Sequence, residues 1–162
     1  MKCTTIRDHK CGHSIYLSIF HGVGKVSDKC CGALIHREKE CHDSLVQDRI
    51  AEGGFEHNKT EILERSAKVW NKCATIAQNL PVVKTCKSKL SFKCGRQIGR
   101  NVLFNEGSIT KKCCIQLLKG GRPCHDLLAL TDVALPEFQA HGKNILKRAA
   151  STWIKCREQF KW

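Results

Sequence analysis

Apolar residues recur along the chain at three- and four-residue intervals, the period of a helix with one buried face, and no convincing strand pattern interrupts them. Cys11, Ile15 and Ile19 form one such stripe, and Cys94, Ile98 and Val102 form another. A loop follows each, marked by Gly22 and Gly24 or by Asn105, Glu106 and Gly107. The next helix is predicted to open at Ser27 or Thr110, good N-caps each preceded by an apolar residue, Val26 or Ile109. Its inward stripe is Cys30 and Leu34 in one case, Cys113 and Leu117 in the other. Residues 36–40 and 119–123 read as turns, the second through Gly120-Gly121-Arg122-Pro123. A third helix is expected near Cys41 or Cys124. A fourth starts from about Asn58, with Glu61 completing a capping box, and carries Ile62, Ser66, Val69, Trp70 and Cys73 inward. Each half therefore predicts four short helices and no strand, an all-α unit.

The two halves are copies. Cys3, Cys11, Cys30, Cys31, Cys41 and Cys73 reappear 83 residues later as Cys86, Cys94, Cys113, Cys114, Cys124 and Cys156, without a gap. Gly12, Ile15, Gly24, Lys29 and Leu34 keep the same offset, and Cys41-His42-Asp43 recurs as Cys124-His125-Asp126. Leu45, Phe55, Ile62, Leu63, Arg65, Trp70 and Lys72 recur as Leu128, Phe138, Ile145, Leu146, Arg148, Trp153 and Lys155. The organisation expected is one domain over residues 1–74, an apolar linker over 75–85 containing Pro81, and a second domain over 86–162.

Twelve cysteines in 162 residues change the picture from an ordinary helical domain to a stapled one. Reducing compartments keep thiols free, whereas small domains in oxidising compartments use disulfides to compensate for a small core. No stretch of about eighteen apolar residues exists to span a bilayer. Met1-Lys2-Cys3 runs straight into the first cysteine, so a secreted, extracellular mature chain is expected, its leader removed and a start Met added.

Charge separates the copies. Residues 1–80 hold 12 Lys and Arg against 10 Asp and Glu, while residues 81–162 hold 16 against 5, so +11 of the formal +13 belongs to the second half. The candidate partner-binding residues are Lys84, Lys87, Lys89, Lys93, Arg96, Arg100, Lys111 and Lys112. Such a surface attracts acidic partners and speeds encounter, although it also simply aids solubility. An acidic cell-surface receptor, an acidic cell-wall polysaccharide or an anionic membrane surface is expected. Nucleic acid is not, because the compartment is wrong and aromatic interleaving is absent.

No enzyme, cofactor or metal site is expected. Structural zinc sites draw ligands from closely spaced C-x2-4-C pairs, and none occurs here; neighbours such as Cys30 and Cys31 point to different sides of a helix. The repeated Cys-His-Asp triplets invite a catalytic reading, but a bridged cysteine is no nucleophile, and Asp43 or Asp126 near a helix start suits the dipole. Phosphate loops, G-x-S-x-G elbows and H-E-x-x-H are absent. Trp70 and Trp153 are expected to pack in the core. Asn58-Lys59-Thr60 is a glycosylation sequon, which applies to a secreted chain and competes with Asn58 as a helix cap.

The helical unit with two early cysteines, an adjacent Cys-Cys pair and later cysteines resembles the prolamin/lipid-transfer-protein superfamily. It looks most like the plant prolamin-like group that includes egg-cell-secreted, gametogenesis-related proteins. Residues 15–41 (IYLSIFHGVGKVSDKCCGALIHREKEC) and 98–124 (IGRNVLFNEGSITKKCCIQLLKGGRPC) carry the resemblance, once per half. It implies an all-α architecture of two tandem disulfide-stapled four-helix prolamin-like domains. Lipid-transfer proteins have eight cysteines with Cys-x-Cys on the third helix; here that site reads Cys-His-Asp, one bridge fewer per unit. Six cysteines permit fifteen pairings. The superfamily topology with one bridge deleted implies Cys3–Cys41, Cys11–Cys30 and Cys31–Cys73, repeated as Cys86–Cys124, Cys94–Cys113 and Cys114–Cys156. The function implied is an extracellular signalling or recognition factor in reproduction, acting at gamete or pollen-tube surfaces as a monomer and presenting residues 21–25 and 105–108 to its partner. The alternatives are a cationic antimicrobial defence protein and a lipid-binding protein of the lipid-transfer type.

Overall fold

The computed structural model describes Cys3 and residues 6–160. Among these, helices and turns account for all regular structure, and no strand occurs. The chain divides into two compact units, residues 1–77 and 78–162.

In the first unit, α1 (His9–Tyr16) opens on Asp8, whose carboxylate accepts from the Lys10 and Cys11 backbone N–H groups. It continues as one wide π turn, Leu17–His21, and closes on Gly22 at φ 65°, a left-handed position glycine takes without penalty. Next, α2 (Asp28–His36) starts at the predicted cap, with Ser27 Oγ accepting from Cys30 N at 3.3 Å. Then come α3 (Lys39–Glu52), a single 3-10 turn Glu56–Asn58, and α4 (Lys59–Ala77). Helix α2 packs along α4. Ile15, Ile19, Leu34, Ile50, Ile62 and Trp70 fill the core, each 5 % exposed or less.

The second unit begins with α5 (Pro81–Ser88), inside the stretch expected to be a linker. Pro81 is the first helical residue, where a missing N–H costs no hydrogen bond, and Val83 and Cys86 face inward. Then follow α6 (Phe92–Phe104), capped by Ser91, and α7 (Lys111–Gly120), capped by Thr110. The unit closes with α8 (Arg122–Val133), the 3-10 segment Pro136–His141, and α9 (Gly142–Glu158). Ile98, Val102, Leu117, Ile145 and Trp153 occupy the core at the places of their first-unit counterparts. The third helices start two residues earlier than their cysteines suggest, so the preceding turns narrow to about Glu38 and Gly121, both at positive φ.

Disulfides join Cys3 to Cys41, Cys11 to Cys30 and Cys31 to Cys73. In the second unit they join Cys86 to Cys124, Cys94 to Cys113 and Cys114 to Cys156. The adjacent cysteines of α2 and α7 each serve two different neighbours, since consecutive helical side chains diverge by about 100°.

A second tie recurs without sulfur. Arg65 on α4 donates through Nε to Ile19 O at 2.6 Å and through Nη2 to Phe20 O at 3.0 Å. Arg148 on α9 does the same to Val102 O at 2.8 Å and Leu103 O at 3.0 Å. These carbonyls lie at the helix end, where the backbone dipole is negative and partners are lacking. The planar fork satisfies two of them at once, which accounts for an arginine at this place in both copies.

Candidate functional site

Twelve bridged cysteines leave no free thiol, and no group of three or more His, Cys, Asp or Glu could hold a metal ion among the described residues. The repeated histidines are inside. His42 on α3 shares a 2.9 Å hydrogen bond with Ser66 Oγ and stacks on Trp70, ring centroids 5.3 Å apart. His125 on α8 donates through Nε2 to Ala149 O at 2.8 Å and stacks on Trp153 at 5.9 Å. Burial lowers the His42 pKa from 6.5 to about 4, against a smaller upward pull from Asp43; burial lowers that of His125 as well. Both are neutral, structural rings wedged between helices.

Beside each His–Trp pair lies a cleft between the first and third helices of the four-helix frame, at equivalent positions in the two units. In unit 1 it measures about 400 Å³ and in unit 2 about 80 Å³. Ile15, Ile19, His42 and Leu45 line the first; Ile98, Val102, His125 and Leu128 line the second. Their polar ends differ. Unit 1 contributes Arg49, whose guanidinium lies 5.4 Å over the Tyr16 ring, and Arg37, whose buried Nε has no hydrogen-bond partner. The counterparts of Tyr16, Arg37 and Arg49 are Gly99, Gly120 and Asp132. Burial raises the Asp132 pKa, while a 3.3 Å hydrogen bond from Gln78 Nε2 opposes the rise.

All eight candidate partner-binding cations are exposed, but their surroundings differ. Lys87 donates to Gln78 Oε1 at 3.0 Å, Lys89 to Gly120 O at 3.4 Å, and Arg100 pairs with Glu106 at 3.2 Å. Lys111 Nζ lies 5.5 Å over the Phe160 ring. Lys84, Lys93, Arg96 and Lys112 have no carboxylate partner among the described residues. The Cys94–Cys113 bridge and a 2.9 Å hydrogen bond from Ser91 N to Gln116 Oε1 fasten the start of α6 to α7, bringing Lys93 and Lys112 to one region. Lys84 on α5 and Arg100 toward the far end of α6 lie on other stretches of the helices. Asn58 is exposed at the end of its 3-10 turn.

Sequence reasoning missed Phe92, which stands 85 % exposed at the start of α6, and Ile115, 37 % exposed on α7. The repeat held the signal: at the 83-residue offset, Phe92 falls opposite His9 and Ile115 opposite Gly32, both outside the apolar stripes.

The sequence profile of the Prolamin-like family matches residues 2–74 and again residues 85–157. The chain belongs to the Prolamin-like family. Its two prolamin-like units account for nearly all of its length. Protein DOWN-REGULATED IN DIF1 11 of Arabidopsis thaliana is 30% identical over 81 residues, 50% of this chain. The match spans 54% of that relative, just over half its length. No solved structure matches the chain. It is a cysteine-rich plant protein of tandem prolamin-like units.

Proposed function

We propose that the protein is a secreted recognition factor of plant reproduction that works by presenting surfaces. One observation carries this reading: the two units repeat their internal machinery and differ in what they expose. Bridges, the Arg65 and Arg148 forks and the His–Trp stacks recur, so the reactive groups are spent on structure. Outside this frame, most of the formal charge falls to the second copy. The oxidising conditions that six bridges require support secretion. The reproductive role rests on the resemblance to egg-cell-secreted proteins, and an acidic surface is the complement of unit 2.

A reporter fused to the full chain under its own promoter tests the reading. Signal confined to the embryo sac or neighbouring reproductive cells, outside the plasma membrane, is expected. Signal throughout leaves or induced by infection would replace recognition with defence.

The recurring cleft favours a second reading, carriage of a small apolar ligand, with unit 1 as the roomier site. Displacement of a fluorescent fatty acid would support it, and no displacement would close it.

A further inference from the structure

We infer that the region of unit 2 around Phe92 docks on an anionic lipid bilayer, with Phe92 and Ile115 entering the headgroup layer and lysines meeting the lipid charges. This rests on the reading that the basic face of unit 2 is a contact surface, and it names the partner. The two copies provide an internal comparison at one site. In unit 1 the site is polar and partly neutralised: Asp8 caps α1 and pairs with Lys29 at 3.2 Å, beside His9. In unit 2 the cap is Ser91, which accepts from Cys94 N equally well but carries no charge, so Lys112, the counterpart of Lys29, loses its carboxylate. His9 becomes Phe92, Gly32 becomes Ile115, and His36 becomes Lys119.

The exchanges act together, removing a negative charge while adding apolar surface and a cation. Gln116, bonded to Ser91 N, holds the start of α6 against α7. Lys112 and Lys119 occupy the same outward strip of α7 as Gln116, three to four residues away on the helix. Lys93 follows Phe92 directly, and Lys89 reaches Gly120 at the end of α7. A phenylalanine ring stacks on a sugar face as well, but the aliphatic Ile115 offers a hydrated polysaccharide no flat platform and gains little from it. A bilayer interface takes both features: aromatic and aliphatic side chains partition at headgroup depth, and nearby lysines meet anionic lipid. Phe92 and Ile115 are too few to span or lyse a membrane, so the expected mode is reversible surface docking.

The test uses the full chain and vesicles of phosphatidylcholine with or without phosphatidylserine, with polygalacturonate as a second acidic partner. Sedimentation should show binding to the phosphatidylserine vesicles and not to pure phosphatidylcholine. Phe92→His should weaken it about tenfold, and Ser91→Asp about fivefold. Each variant installs the residue unit 1 already carries at that site, and Asp is as good a cap as Ser, so folding is retained. Phe92→Trp should gain quenching by bromine-labelled acyl chains beyond that of the native tryptophans. Vesicle binding that is absent, or as tight for Phe92→His as for wild type, overturns the proposal. Binding to polygalacturonate alone would overturn it while leaving the basic contact surface standing; binding to neither acidic partner would remove both.

Discussion

His42 is the residue on which pH acts most directly. It is 1 % exposed, stacked on Trp70 and bonded to Ser66, and burial holds its pKa near 4 against 6.5 in an unfolded chain. Asp43, which favours the charged ring, and Lys39 and Arg37, which oppose it, leave burial dominant. Below pH 6.5 the unfolded state takes up a proton that the folded state refuses, so stability falls with pH down through about pH 4, below which both forms are protonated. The loss is on the order of 3 kcal/mol for His42, and His125 adds to it in the same direction. Asp132 opposes it: its raised pKa makes the folded state bind its proton first, which favours folding as pH falls through the range above 3.8. Denaturant midpoints measured from pH 7 to pH 4 should fall, and His42→Phe should flatten part of that slope. A pH slope left unchanged by His42→Phe would show that the ring is accessible. The histidines were legible as repeated positions only; their burial depends on Trp70 and Trp153 lying across from them, which spacing along one helix does not reveal.

At the scale of the elements, the junction between the second and third helices shows what a tandem copy reveals about strain. Gly121 takes φ 93° and ψ 149° there, and Glu38 holds φ 72° and ψ 145° at the equivalent point. A side chain in that region costs about 1–3 kcal/mol, and the extra freedom of glycine in the unfolded chain returns somewhat less than 1. Glu38→Gly should therefore stabilise the protein by about 1 kcal/mol, read as a rise in denaturant midpoint; a drop would mean that the Glu38 side chain contributes more than its backbone costs. The helices themselves were largely legible, because Ser27 and Thr110 mark starts and the apolar stripes mark faces. Helix α5 was not: Pro81 reads as a breaker unless it is placed at the first helical position. The π turn at Leu17–His21 was also hidden, since the carbonyls it leaves open are answered by Arg65, far away in sequence. Of the candidate site, the cations were legible as charge. The clefts, which come from how helices pack, were not.

Across the whole molecule, stability is concentrated in the bridges. The Cys31–Cys73 loop spans 42 residues and the Cys11–Cys30 loop 19. Chain-entropy estimates give about 4 and about 3 kcal/mol respectively, comparable to the whole net stability of a domain this small. Replacing Cys31 and Cys73 together by Ala should unfold unit 1 at ordinary temperature, seen as loss of part of the helical circular dichroism. Full retention of the signal would show that the Arg65 fork and core suffice. Sequence made the duplication plain, because twelve cysteines in register survive any choice of helix boundary. The opposite character of the two clefts, arginines in one and Asp132 in the other, became meaningful only when packing placed those residues beside equivalent walls.

Each bridge closes within its own unit, and this bears on how the chain matures. Twelve thiols released together could pair in roughly ten thousand ways, whereas six can pair in only fifteen. A chain emerging from the amino end presents Cys3 to Cys73 as a complete set before Cys86 appears. Vectorial synthesis then divides one very large search into two small ones taken in turn, the first finished or nearly so before the second begins. Refolding the reduced full chain from denaturant removes that ordering, and scrambled isomers linking the halves are the expected by-product.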